Sequence, residues 1–98
     1  MSSTSADANA TWVGPVLRSG AVASAIAEAL RVDNAVVELV DRGGYLRLAA
    51  PGHLLLRRAS IEATLGRSFV LPGDLEQVLI SFAGRMRVLS EQVEWLAS

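Results

Sequence analysis

The sequence contains no cysteine and no lysine. Without cysteine there is no disulfide, thiolate zinc site, cysteine-ligated iron–sulfur cluster or cysteine nucleophile. Without lysine there is neither a Walker-type phosphate loop nor a Schiff-base lysine, which removes the pyridoxal enzymes. Histidine occurs once, at His53, so the paired Glu-x-x-His motifs of a di-iron carboxylate site cannot be assembled. The glycines form no G-x-G-x-x-G. No apolar run approaches the roughly 18 residues that a membrane span needs, and the N-terminus lacks the basic and apolar regions of a secretory signal. A cytoplasmic location is expected.

What is present bounds the chain to one domain. At 98 residues it buries roughly 60 to 65% of its unfolded surface in a single modest core. Apolar residues make up 51% and charged residues 19%, a globular balance. Nine arginines against ten acids leave a formal charge of −1. The arginines are scattered from Arg18 to Arg87, which disfavours nucleic acid as a ligand. Residues 1–11 (MSSTSADANAT) offer no apolar anchor and read as a mobile tail preceding a domain over 12–98.

Trp12–Arg18 (WVGPVLR) reads as an extended segment that Pro15 confines to an edge or an irregular strand. Val22, Ile26 and Leu30 recur at helical spacing among alanines, with Ser19 placed to N-cap the helix and Asp33-Asn34 to stop it. Val36–Val40 and Tyr45–Ala49 are β-rich runs joined by Asp41-Arg42-Gly43-Gly44, a hairpin; after Pro51-Gly52, His53–Arg57 continues it as the third strand of a meander. Ile61 and Leu65 mark a short helix closed by Gly66, and Phe69-Val70-Leu71 reads as an extended link. Leu75, Val78, Leu79 and Phe82 then follow i, i+3, i+4, i+7, which predicts a third helix starting near Pro72 with a buried stripe. Beyond Ala83-Gly84 the period becomes two and predicts a C-terminal hairpin turning at Ser90-Glu91. In that register Val88 faces Val93, Met86 faces Trp95 and Arg87 faces Glu94. The fold class is α+β: a small twisted, mostly antiparallel sheet with about three helices in a single compact domain.

Few residues suggest chemistry. His53 has no serine or acid fixed beside it by motif and reads as an exposed loop histidine. The acids are spread singly along solvated faces and helix starts. The Asp41–Gly44 turn is read as a hairpin linker in preference to an anion-binding loop. Phe82 completes the helical stripe and is read as core, with interface contact as the alternative. The seam Ser81–Arg85 (SFAGR) differs: two small residues at a helix-to-strand corner let another backbone approach closely. These features favour a protein that acts through its surface. A small-molecule-binding regulatory module is the alternative, and a cofactor-free enzyme has only His53 to recommend it.

Four stretches carry a resemblance: Val13–Gly20 (VGPVLRSG), Val37–Ala50 (VELVDRGGYLRLAA), Ser60–Phe69 (SIEATLGRSF) and Leu75–Arg85 (LEQVLISFAGR). In this order they resemble the effector, or coupling, proteins of bacterial multicomponent di-iron monooxygenases, of the methane monooxygenase component B and phenol hydroxylase type. Their spacing is close to that of the toluene-monooxygenase effector. The resemblance implies a cofactor-free protein, monomeric when free, that docks on a di-iron hydroxylase and regulates substrate access, O2 activation and the coupling of electron transfer to oxidation. The short tail departs from the long N-terminal extension of the methane-oxidising branch. It implies an alkene or aromatic hydroxylase, supplied through a ferredoxin, often of the Rieske type, and a flavin reductase. By the same resemblance Ser81, Phe82, Ala83, Gly84 and Arg85 are candidates for the hydroxylase interface, with Arg18, Arg42, Tyr45 and Arg67 as further candidates.

Overall fold

The computed structural model describes residues 11–97. Residues 1–10, which hold nearly all of the expected tail, lie outside the described residues. Thr11 is already tied down: its carbonyl accepts a 2.8 Å bond from the Gly52 amide. The described chain forms seven strands and three helices: β1 (Trp12–Arg18), α1 (Ala21–Asp33), β2 (Glu38–Asp41), β3 (Tyr45–Pro51), β4 (His53–Arg57), α2 (Arg58–Leu65), α3 (Gly73–Glu76), β5 (Leu79–Ala83), β6 (Arg85–Val88) and β7 (Gln92–Leu96). The α+β class expected from the sequence is the class observed. No helix among the described residues is long and apolar enough to cross a membrane.

The strands form two antiparallel sheets, ordered β2-β3-β1-β5 and β4-β7-β6. The expected meander is therefore split. β4 follows β3 directly in sequence but pairs with β7, Leu54 opposite Trp95 and Leu56 opposite Val93. The pleat explains why: Leu54 and Leu56 share one face of β4, and against β7 that face joins Trp95 and Val93 in the core, where all four are buried. The C-terminal hairpin keeps the predicted register, with Val88 opposite Val93, Met86 opposite Trp95 and Arg87 opposite Glu94.

The core lies between the inner faces of the two sheets and the helices. Val13, Leu17, Leu46, Leu48 and Ala50 from the larger sheet meet Ile26 and Leu30 of α1, Ile61 of α2, and Trp95 and Val93 of the smaller one. Phe69 and Leu71, expected in a mere link, are buried in the same cluster. The α1 N-terminus also differs from expectation. Gly20 precedes the first turn without a side-chain cap, and the Ser19 hydroxyl is buried without a hydrogen-bond partner. At its other end Asn34 stops α1 as predicted. Its Nδ2 donates to the Leu30 carbonyl (2.8 Å) and the Leu55 carbonyl (2.6 Å), while its Oδ1 accepts from the Leu55 amide (2.9 Å). Asp33 accepts from the Arg57 amide (2.8 Å) and the Ser60 hydroxyl (2.7 Å), so the end of α1 supplies the N-terminal acceptor that α2 lacks in its own sequence. Gly66 closes α2 in the left-handed conformation, as expected.

The largest departure is the third helix. Only Gly73–Glu76 is helical; a turn follows, in which the Val78 amide donates to the Leu75 carbonyl (3.0 Å), and Leu79–Ala83 is strand β5. β1 accounts for this. Val13, Gly14, Pro15 and Leu17 are buried, so the backbone groups on the free edge of β1 need partners. β5 supplies them, pairing Gly14 with Ala83, Pro15 with Phe82 and Val16 with Ser81. β1 is thus an interior strand, and the expectation of an edge position does not hold. Pro15 leaves its mark as irregularity, because the β1–β3 register runs Val13 opposite Ala50 and resumes only at Val16 opposite Arg47.

Candidate functional site

The two sheets differ in what their outer faces carry. On the smaller sheet, polar groups satisfy one another. His53 Nε2 donates to Glu94 Oε2 at 2.9 Å, and Arg87 Nε donates to Glu94 Oε1 at 3.1 Å. The His53 hydrogen bond, and after it the Arg87 bond, hold the Glu94 carboxyl below the usual glutamate range. His53 therefore belongs to an ion-paired surface at the start of β4 and not to a loop.

Among the described residues nothing covers the outer face of the larger sheet. Alternation along β3 sends Leu46, Leu48 and Ala50 inward and leaves Tyr45, Arg47 and Ala49 on the other face. A trough crosses all four strands. Its main depression, of about 430 Å³, is lined by residues that include Trp12, Gly14, Glu38, Ala49, Phe82 and Ala83. A second depression, of about 370 Å³, is lined by Val16, Arg42, Tyr45, Arg47, Ile80 and Ser81. Val16, Arg47 and Ser81 line both, which makes them one continuous surface. Small residues, Gly14, Ala49, Ser81 and Ala83, are among those lining the main depression, and large apolar ones stand half-exposed around the trough: Trp12 at 40%, Tyr45 at 40%, Ile80 at 53% and Phe82 at 43%.

Local sequence explains the exposure on β5. Val16 pairs with Ser81 but Leu17 pairs with Leu79, so Ile80 is the extra residue of a bulge, and a bulge re-aims side chains at a sheet edge. Leu79 stays against the core while Ile80 and Phe82 are exposed. Phe82 is therefore not the core residue that a helical stripe requires.

Ser81, Phe82 and Ala83 line the trough, as do Arg42 and Tyr45. Arg18 stands opposite Tyr45 across β1 and β3, with its Nη1 donating to the Gln77 carbonyl at 2.9 Å. Arg85 opens β6 on an exposed position and Arg67 follows α2; neither lines the trough. Gly84 is a break between two strands and not the end of a helix. Its φ is +92°, and a Cβ placed there would lie 2.6 Å from Val13 Cγ1 and 2.7 Å from the Leu96 carbonyl oxygen. The backbone that needs its small size is the protein's own. Trp12, Gly14, Val16, Glu38, Arg47, Ala49 and Ile80 were not singled out by sequence reasoning. The signal was available for two of them: Arg47 and Ala49, like Tyr45, alternate with buried residues, and such a strand has an outer face to be explained.

Among the described residues no group of three or more His, Cys, Asp or Glu side chains is placed to hold a metal ion. The arrangement offers a recessed, largely apolar surface with arginines lining its second depression.

The profile of the MmoB/DmpM family matches residues 11–96. The effector subunit of the alkene monooxygenase system of Xanthobacter autotrophicus strain Py2 is 41% identical over 91 residues, which cover 91% of this chain and 89% of the relative. A chain from the structure of a phenol hydroxylase–regulatory protein complex superposes with a TM-score of 0.79 at 23% identity, over 89% of this chain and 99% of that one. The soluble methane monooxygenase regulatory protein B superposes with a TM-score of 0.68 at 22% identity, over 89% of this chain and 65% of that one. The two superpositions establish a common fold.

Proposed function

This chain belongs to the MmoB/DmpM family, and from that premise we propose that it is the effector of a multicomponent monooxygenase, a non-catalytic subunit that docks on a di-iron hydroxylase and regulates its turnover. The relative at 41% identity is an alkene monooxygenase effector subunit, which favours an alkene-oxidising system. Electrons would reach the hydroxylase from a ferredoxin and a reductase, without passing through this chain.

The observation that carries the docking surface is the contrast between the two outer faces. On the smaller sheet His53 and Arg87 both bond to Glu94. On the larger sheet Trp12, Tyr45, Ile80 and Phe82 stand half-exposed around one trough. A monomer that buries its core well has no reason to leave two tryptophan- and phenylalanine-sized groups on one face unless that face is covered in use. Aromatic anchors around a recess, with a polar rim, are what interface centres are made of. β5 adds a second feature: it pairs only with β1 among the described residues, so its outer edge presents backbone donors and acceptors beside the apolar groups. The carried-over segment Ser81-Phe82-Ala83 forms one wall of the trough, and we assign it to the interface. Gly84 is assigned to the fold.

The test is turnover. Titrating the chain into its hydroxylase, with reductase and ferredoxin present, is expected to raise coupled oxidation of an alkene to a plateau near one chain per active site. A hydroxylase that turns over at the same rate and coupling with and without the chain overturns the reading.

A further inference from the structure

Arg42 and Arg47 line the second depression of the trough, Arg47 reaching the main one as well, and Arg18 stands beside them. Arg42 sits in the β2–β3 turn, Arg47 lies opposite both Val16 and Val40, and Arg18 lies opposite Tyr45. Among the described residues none of the three is within ion-pair distance of a carboxylate. Two other arginines are paired, Arg58 with Glu62 and Glu91 and Arg87 with Glu94. Arg31, Arg57, Arg67 and Arg85 are also without an ion pair among the described residues, but none of them lines the trough, whereas Arg42 and Arg47 line the same depression with Tyr45. Asp41, beside Arg42 in sequence, has its Oδ1 accepting from the Gly43 amide at 2.8 Å, and Glu38 lines the main depression together with Arg47 without forming an ion pair with it.

We infer that the second depression of the docking face receives a carboxylate-bearing segment of the hydroxylase, while the Trp12–Phe82 end holds an apolar one. The inference rests on the docking reading above and specifies the partner's chemistry. Docking on the trough strips water from Arg42 and Arg47, and a guanidinium desolvated against a neutral apolar surface is strongly unfavourable unless the partner supplies acceptors. The depression already provides the rest of a carboxylate site. Two planar guanidinium groups offer forked donors, the Tyr45 phenol and Ser81 hydroxyl stand among the same lining residues, and Val16 and Ile80 give apolar contact for the stem of an Asp or Glu side chain. A chain of net charge −1 is not drawn to an acidic surface as a whole; a local arginine cluster orients it as it arrives.

The experiment is stopped-flow association with the purified hydroxylase, using wild type, Arg42→Glu/Arg47→Glu and Trp12→Ala. Each is run at low salt, where the Debye length is about 30 Å, and at high salt, where it is about 3 Å. The double reversal is expected to slow association about tenfold or more at low salt, with the difference from wild type shrinking to under about threefold at high salt. Trp12→Ala is expected to speed dissociation similarly at both salts. Melting curves of the free variants confirm that they are folded, and Arg42→Glu alone, at an exposed turn position, carries the test if the pair is unstable. A reversal that associates like wild type at low salt, or faster, overturns the inference while leaving docking intact. A wild type that binds the hydroxylase at neither salt overturns the docking reading itself.

Discussion

Replacing Gly84 by alanine separates a docking role from a folding role. At φ +92° an alanine carries a backbone penalty of about 1 kcal/mol, the cost of the left-handed region for a residue with a Cβ. The larger cost is steric. The new methyl would lie 2.6 Å from Val13 Cγ1, 3.0 Å from Val13 Cβ and 2.7 Å from the Leu96 carbonyl oxygen. Val13 is fully buried in β1 and Leu96 is in β7, so neither obstacle is the free end of a flexible side chain. Forced overpacking of this kind costs roughly 1 to 3 kcal/mol, for a total of about 2 to 4 kcal/mol. Each kcal/mol moves the melting temperature of a domain this size by about 4 to 8 °C, so a fall of about 8 to 32 °C is expected. Gly43→Ala is the internal control. Its φ is +82° but nothing lies within 4 Å of its added Cβ, so it bears the backbone term alone and is expected to lose only about 4 to 8 °C. Thermal melts followed by circular dichroism, with urea titrations for free energy, decide the matter. If Gly84→Ala melts with Gly43→Ala, the close approach of β6 to β1 and β7 is not a constraint. The interface role expected from the sequence would then be restored to Gly84.

Glu94 sets an acid limit on stability. Its carboxyl titrates below the ordinary glutamate value, so the stabilisation is fully present above that value and is lost as pH falls through the depressed one. Glu94→Gln is therefore expected to melt below wild type at neutral pH and to converge with it as acid is added; a constant gap across the pH series is the contrary result. Phe69→Ala is expected to lose about 3 to 5 kcal/mol, because the ring is buried with Leu71, Leu75 and Ile61, and a loss under about 1 kcal/mol in a urea titration would show that Phe69 is only a link. Trp12→Ala is expected to leave the melting temperature within a few degrees of wild type, since the side chain is half-exposed, yet to weaken hydroxylase binding about 30-fold, the scale of an interface hot spot near 2 kcal/mol. Titration calorimetry reads it, and unchanged affinity would remove Trp12 from the interface.

Where local pattern and tertiary demand agreed, the fold was legible. The Arg85–Val88 and Gln92–Leu96 strands alternate apolar with charged residues, and only one register puts Met86 and Val88 on the core side with Arg87 against Glu94. Leu79–Ala83 was not legible in this way. Its apolar spacing fits a helix, and the need that made it a strand, a β1 whose second edge lacks partners without it, lies far away in the chain, at Gly14 to Leu17. The same error hid most of the site. Read as a helix, Phe82 belongs to the core; read as an edge strand with a bulge at Ile80, it stands at the trough. Arg47 and Trp12 were passed over because a strand's outer face acquires meaning only once the helices and the second sheet are known to cover the other side. Gly84 was singled out for its small size, and the close approach visible within the chain is to Val13 and Leu96, side chain and backbone of the same molecule.

The central claim is that the outer face of the larger sheet is the surface that meets the hydroxylase. Amide hydrogen exchange of the chain, free and in complex with the hydroxylase, tests it most directly, because β5 pairs only with β1 among the described residues and exchange reports burial segment by segment. Slowed exchange is expected in β5 (Leu79–Ala83) and in the β2–β3 segment from Glu38 to Arg47, with β4 and β7 around His53 and Glu94 unchanged. Protection confined to the His53–Glu94 face, with β5 exchanging as fast in the complex as in the free chain, would contradict it.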